Sequence, residues 1–140
     1  MSNTTITPTV GAAALAGVAP TFTQLVGFTA LNALNFSGLG YLATWTGLTT
    51  ALGTGIPETF AAWERCFTQV SGTIGAGGSI QLEGSNDGVN WIKLSPAAIT
   101  ASLPAFFAPL AANENPVYIR PHVTAGDGTT LLTVTAWFEL

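Results

Sequence analysis

The clearest pattern along the chain is alternation of apolar and polar residues in short runs, the two-residue period of a β-strand. In Ser79-Ile80-Gln81-Leu82-Glu83, Ile80 and Leu82 point one way and Gln81 and Glu83 the other. Val117, Ile119, Pro121 and Val123 share one face, with Tyr118, Arg120 and His122 on the opposite one. Near the C-terminus Leu132, Val134, Ala136 and Phe138 form a buried set against outward Thr133, Thr135 and Trp137. The run Trp63 to Val70 has the aromatic and β-branched enrichment of a further strand. Glycine-bearing connections punctuate these runs: Gly72 to Gly78, Gly84-Ser85-Asn86-Asp87-Gly88 and Ala125-Gly126-Asp127-Gly128. The turn at Asp87-Gly88 predicts a hairpin joining Ser79–Glu83 to Val89–Leu94. The turn at Asp127-Gly128 predicts a second, joining the Val117–Val123 run to the C-terminal one. Pro121 inside a strand predicts an edge position or a bulge, because proline cannot donate to a ladder. Pro96, Pro104, Pro109 and Pro116 break any long helix between Ser95 and Pro116, which reads as loop. Short strands, glycine turns and no helical stripe predict an all-β antiparallel sandwich, immunoglobulin-like or jelly-roll-like.

Charge divides the chain in two. Of 140 residues only 7% are charged, three basic and seven acidic, giving a net charge of −4; an average soluble domain carries roughly 25%. From Met1 to Pro57 there is no charged side chain. The pattern predicts an uncharged, largely irregular N-terminal arm over residues 1–44 and a β-sandwich domain over residues 45–140. The window from Leu25 to Leu48 is apolar enough to be tested as a membrane span. It is interrupted by Gly27, Asn32, Asn35, Gly38 and Gly40 and has no flanking Lys or Arg, so no membrane partner is expected. Lys93, Arg65 and Arg120 are the only cations, too few to neutralise phosphates, so no nucleic-acid partner is expected. Cys66 is the only cysteine, which excludes an intramolecular disulfide.

Candidate chemistry is sparse. His122, the only histidine, needs a nucleophile and an orienting acid to act as a base, and otherwise is a strand residue beside Tyr118 and Arg120. Cys66 is a nucleophile only if a base or a positive environment activates it, and otherwise a small buried hydrophobe. The turns at Asp87 and Asp127 lack the dense carboxylate series that calcium requires. Gly75-Ala76-Gly77-Gly78 precedes a strand and no Lys-Ser/Thr, unlike a phosphate loop. Among Glu58, Glu64, Glu83 and Glu114 nothing singles out a glycosidase pair. Trp45, Trp63, Trp91 and Trp137 are either core anchors or a sugar-stacking platform. The expectation is a non-enzymatic protein with no catalytic, cofactor or metal site.

Several segments in order carry a family resemblance. Gln69-Val70-Ser71-Gly72-Thr73-Ile74-Gly75 is followed by Ile80-Gln81-Leu82-Glu83-Gly84-Ser85-Asn86-Asp87-Gly88-Val89-Asn90-Trp91. Then come Glu114-Asn115-Pro116-Val117-Tyr118-Ile119-Arg120-Pro121 and Val123-Thr124-Ala125-Gly126-Asp127-Gly128-Thr129, with Trp45 to Leu48 leading in. Over about residues 45–138 the chain resembles small virion structural proteins of tailed bacteriophages. The first forty residues exceed that family's short leader. The resemblance implies a capsid decoration (cement) protein on the virion surface, made in the host cytoplasm. Its expected partners are the major capsid protein and neighbouring copies of itself, in a homo-oligomer such as a trimer. Two alternatives stand beside it: another virion component (tail, connector or fibre base), and a carbohydrate-binding β-sandwich module using Trp91 or Trp137.

Overall fold

The computed structural model describes residues 17–23, 40–60 and 65–139. Among the described residues, nine strands form two antiparallel sheets: β1 (Thr21–Thr23), β2 (Gly40–Leu48), β3 (Glu58–Thr59), β4 (Arg65–Thr73), β5 (Ser79–Ser85), β6 (Ile92–Lys93), β7 (Ala105–Phe106), β8 (Tyr118–Ala125) and β9 (Leu131–Glu139). One sheet has the order β1-β2-β9-β4-β7 and the other β3-β8-β5-β6. The described residues contain no helix, and the sandwich expected from the alternating runs is the observed fold.

The core lies between the sheets and comes from the apolar halves of the alternating runs. Ala43, Trp45, Val70, Leu132, Val134, Ala136 and Phe138 enter it from the five-stranded sheet, and Ile80, Leu82, Ile119 and Val123 from the four-stranded one. Phe60, Leu94 and Phe107 close it from the connections, with the Phe60 ring tilted against Phe138 at 6.3 Å between centroids. Trp45 is fully buried and donates its indole N–H to the Ile56 carbonyl at 2.9 Å, so its one polar atom is satisfied inside the core.

β2 begins at Gly40 and β1 pairs with it, Thr23 opposite Leu42. Of the arm expected over residues 1–44, stretches 21–23 and 40–44 therefore join the sheet. Val18 exchanges backbone hydrogen bonds with Thr54 and Ile56. The rest of the arm, residues 1–16 and 24–39, lies outside the described residues, as does Trp63 at the start of the strand expected from Trp63 to Val70.

One local expectation is corrected and a second is narrowed. The run ending at Val123 and the C-terminal run do not form a hairpin: β8 pairs with β5 and β3, whereas β9 lies between β2 and β4 in the other sheet. Residues 126–130 cross between the sheets, and so do residues 74–78 between β4 and β5. Side chains hold the crossings together: Thr130 donates its hydroxyl to the Ile74 carbonyl, and Asp127 accepts from the Ala76 N–H. Of the edge position or bulge expected at Pro121, the edge is excluded because β8 is an inner strand, and the irregularity is present: Thr54 stands opposite His122 but Glu58 opposite Ile119, one residue out of register. β3 is only two residues long, and beside Pro121 it has given way to the irregular stretch 53–57. The Pro121 carbonyl faces that stretch and accepts from the Gly55 N–H at 3.0 Å, so the missing donor falls where no regular ladder needs it. The hairpin expected at Asp87-Gly88 is present, as β5 and β6 with Glu83 opposite Lys93.

Candidate functional site

The two outer faces of the sandwich differ in chemistry. On the four-stranded sheet, cross-strand register sets Glu83 opposite Arg120, Gln81 opposite His122 and Ser85 opposite Tyr118. The Glu83 carboxylate is the hub. Its Oε2 accepts from Arg120 Nε at 2.9 Å and from a terminal guanidinium nitrogen at 2.8 Å. Its Oε1 accepts from Gln81 Nε2 at 2.9 Å and lies 2.6 Å from His122 Nδ1. The Arg120 guanidinium stacks on Trp91, 3.9 Å from the ring centroid. Glu83 is only 6% exposed although it points away from the core, with Arg120, His122 and Gln81 gathered on its carboxylate. Burial opposes ionisation, but the hydrogen bonds from His122, Gln81 and Arg120 together outweigh it and hold the carboxyl below its ordinary value. This is a closed network in which both carboxylate oxygens are occupied.

The sequence-level candidates are thereby placed. His122 has its orienting acid in Glu83, but Cys66 lies on β4 in the opposite sheet, so no cysteine–histidine pair forms. Burial pushes the Cys66 thiol up to about 11, only partly offset by its hydrogen bond with Thr68, and at neutral pH it is the poorly nucleophilic thiol. Asp87 serves its own turn: it accepts from the backbone N–H groups of Val89 and Asn90 and from the Ser85 hydroxyl and the Asn90 amide, which hold its carboxyl low. Asp127 accepts from the Thr129 hydroxyl and from the N–H groups of Ala76 and Thr129, with the same effect. Glu114 clips the proline-rich connection by accepting from Ser95 N and Ala111 N. Glu58 is buried, and Glu64 lies outside the described residues. An open groove of about 420 Å³ runs between the Asp87 turn and residues 113–116, and its carboxylates are those of Asp87 and Glu114, already engaged as described. Among the described residues no group of three His, Cys, Asp or Glu side chains is placed to hold a metal.

The outer face of the five-stranded sheet went unnoticed in the sequence as a unit. Three rows cross β2, β9 and β4 in register: Leu42–Trp137–Phe67, then Thr44–Thr135–Gln69, then Thr46–Thr133–Ser71. Phe106 on β7 stands opposite Gln69 and is 71% exposed; Phe67 is 43% exposed. The only charges at outward positions of β2, β9 and β4 are Arg65 and Glu139, opposite each other at one end. The signal in the sequence is the set of uncharged polar positions between core residues: threonine, serine and glutamine where a free surface ordinarily carries lysine and glutamate.

Of the tryptophans, Trp45 is core, Trp91 lies on Arg120 and Trp137 is half-buried on the uncharged face. No protein-family model matches the chain, and no curated protein matches it.

Proposed function

We propose that this chain is a non-enzymatic structural protein of a tailed-bacteriophage virion, a decoration protein that binds the major capsid protein shell and stabilises it. The observation that carries the reading is the outer face of the five-stranded sheet. It combines exposed Phe67 and Phe106 with uncharged polar rows, a surface suited to being covered by protein. Its lack of charge lowers the desolvation cost of burial, and each Å² of apolar area buried contributes about 25 cal/mol. The uncharged sequence from Met1 to Pro57 extends the same character, and the resemblance of the ordered segments to phage virion proteins suggests the class. His122 and Glu83 are engaged with each other, and Asp87 and Asp127 with their own turns, which supports a role in assembly rather than turnover. On this reading the N-terminal arm docks on the shell while the sandwich contacts neighbouring copies.

Co-sedimentation of the purified chain with purified capsids tests the proposal. Binding is expected, and failure to bind overturns the decoration reading. Deleting residues 2–16, which spares β1 and the Val18 hydrogen bonds, is expected to weaken binding. Undiminished binding by that variant sinks docking through those residues. The carbohydrate-binding alternative requires an open indole face. Arg120 already occupies one face of Trp91, and a saturable change in tryptophan fluorescence on titration with host polysaccharide would favour that alternative instead.

A further inference from the structure

The register of the uncharged face shows a size pattern that a second copy of the same chain fits. Thr135 is the midpoint of β9, which is the middle strand of the sheet. Two residues to one side lies the row of large side chains, Leu42, Trp137 and Phe67; two residues to the other lies the row of small ones, Thr46, Thr133 and Ser71. A twofold axis perpendicular to the strands and passing over Thr135 sets each large row onto the small row of its mate. It also brings Phe106, which lies level with the central row, against its own symmetry equivalent.

Charge agrees with that placement. Arg65 and Glu139 lie in the row beyond Trp137, so the same rotation carries them over the Thr73–Leu131 end of the other copy. Like charges are thereby kept apart at the rim, and an apolar row with an uncharged surround is left inside, as in ordinary interfaces. The three nine-residue strands β2, β9 and β4 span roughly 30 Å by roughly 14 Å, a face of about 400 Å² in projection, to which Phe106 on the short β7 adds at one edge. That is about half of the roughly 800 Å² of accessible surface per partner in a standard stable interface, which suits a reversible dimer. We infer that two copies of this chain pack face to face through the outer surfaces of their five-stranded sheets, about a twofold axis at Thr135. The inference rests on the reading above that this face is covered by protein, and it names the partner.

Analytical ultracentrifugation of the full chain without capsids gives the first test, with a dimer expected. Thr135→Glu sets two carboxylates together at the axis and is expected to loosen the dimer about 100-fold, with an unchanged circular dichroism spectrum. In a Cys66→Ser background, Thr135→Cys is expected to be cross-linked between copies by a short bis-maleimide, because only a residue at the axis meets its own equivalent and packed sheets lie about 10 Å apart, beyond the reach of a disulfide. A monomeric wild type overturns the inference. So does a dimer that Thr135→Glu leaves intact, or one in which Thr135→Cys does not cross-link. If the wild type is monomeric and the thiol introduced by Thr135→Cys resists maleimide, the face is covered by the chain's own residues instead, and the inference falls. Co-sedimentation separates the two readings: a monomer that binds capsids removes only the dimer, and a dimer that ignores them removes only the decoration role.

Discussion

Asp127 accepts a hydrogen bond from the backbone N–H of Ala76 at 2.9 Å, across 51 positions of sequence. The contact joins the two connections that pass from one sheet to the other at this end of the sandwich. Thr130, 2% exposed, completes the joint: it donates to the Ile74 carbonyl at 2.8 Å and accepts from the Asp127 N–H at 3.1 Å. Thr130→Val keeps the shape of the side chain and removes both bonds, leaving the half-buried Ile74 carbonyl and the Asp127 N–H without the Thr130 hydroxyl. The expected loss is about 2 kcal/mol, read from urea denaturation.

The Glu83 network predicts acid sensitivity. The folded-state carboxyl is held below its ordinary value of 4.5, so its contribution is fully present above that pH and is lost as pH falls through the lower folded-state value. Asp87 and Asp127, also held low, add in the same direction. Thermal unfolding followed from pH 7 to pH 2 is expected to show a melting temperature that falls below about pH 4.5 and does so less steeply in Glu83→Gln. An equal slope in the two proteins would show that Glu83 is not a source of the dependence.

Removing Arg120 leaves the shielded Glu83 carboxylate with His122 and Gln81 alone and uncovers Trp91. Arg120→Ala is expected to cost about 2 kcal/mol. It is also expected to shift the tryptophan emission to the red as Trp91 gains water, and a mutant spectrum matching the wild type would contradict the stacked geometry.

Gly55 is wedged between the two sheets. A Cβ at this position would lie 2.7 Å from Pro121 Cδ and 2.8 Å from Trp45 Cδ1, both in rigid rings packed in the core. Gly55→Ala is expected to destabilise the fold by about 1–3 kcal/mol, measured by chemical denaturation. Gly128, whose added Cβ meets nothing within 4 Å, supplies the control, and Gly128→Ala is expected to change stability far less.

Cys66, with its thiol pushed up to about 11, is expected to react slowly with a disulfide reagent at pH 8 in the native protein and rapidly in denaturant. Fast native labelling would place the thiol in the open rather than against the core.

Much of this fold is legible in the residues themselves. The alternation in Ile80/Leu82, Ile119/Val123 and Leu132 to Phe138 marked the core faces correctly, because a strand's two-residue period admits only two assignments and burial selects one. The partner of each strand was less accessible. β8 and β9 flank a glycine turn that suits a hairpin, yet they enter different sheets. The deciding contacts are Thr130 and Asp127 with residues more than fifty positions away. Pro121 likewise signals a broken ladder, which an edge satisfies, but so does the neighbouring irregular stretch at Gly55.

Composition and order alone thus determined a charge-poor, all-β chain with its charged residues confined to Glu58 and beyond. Tertiary structure decided what those charges do. It gathered Gln81, Glu83, Trp91, Arg120 and His122 into one saturated network on one sheet, and it lined up Leu42, Trp137 and Phe67 from three distant strands on the other. The reason is physical: alternation is local and selects only a side of the strand, whereas cross-strand neighbours are set by register, which depends on contacts throughout the sandwich.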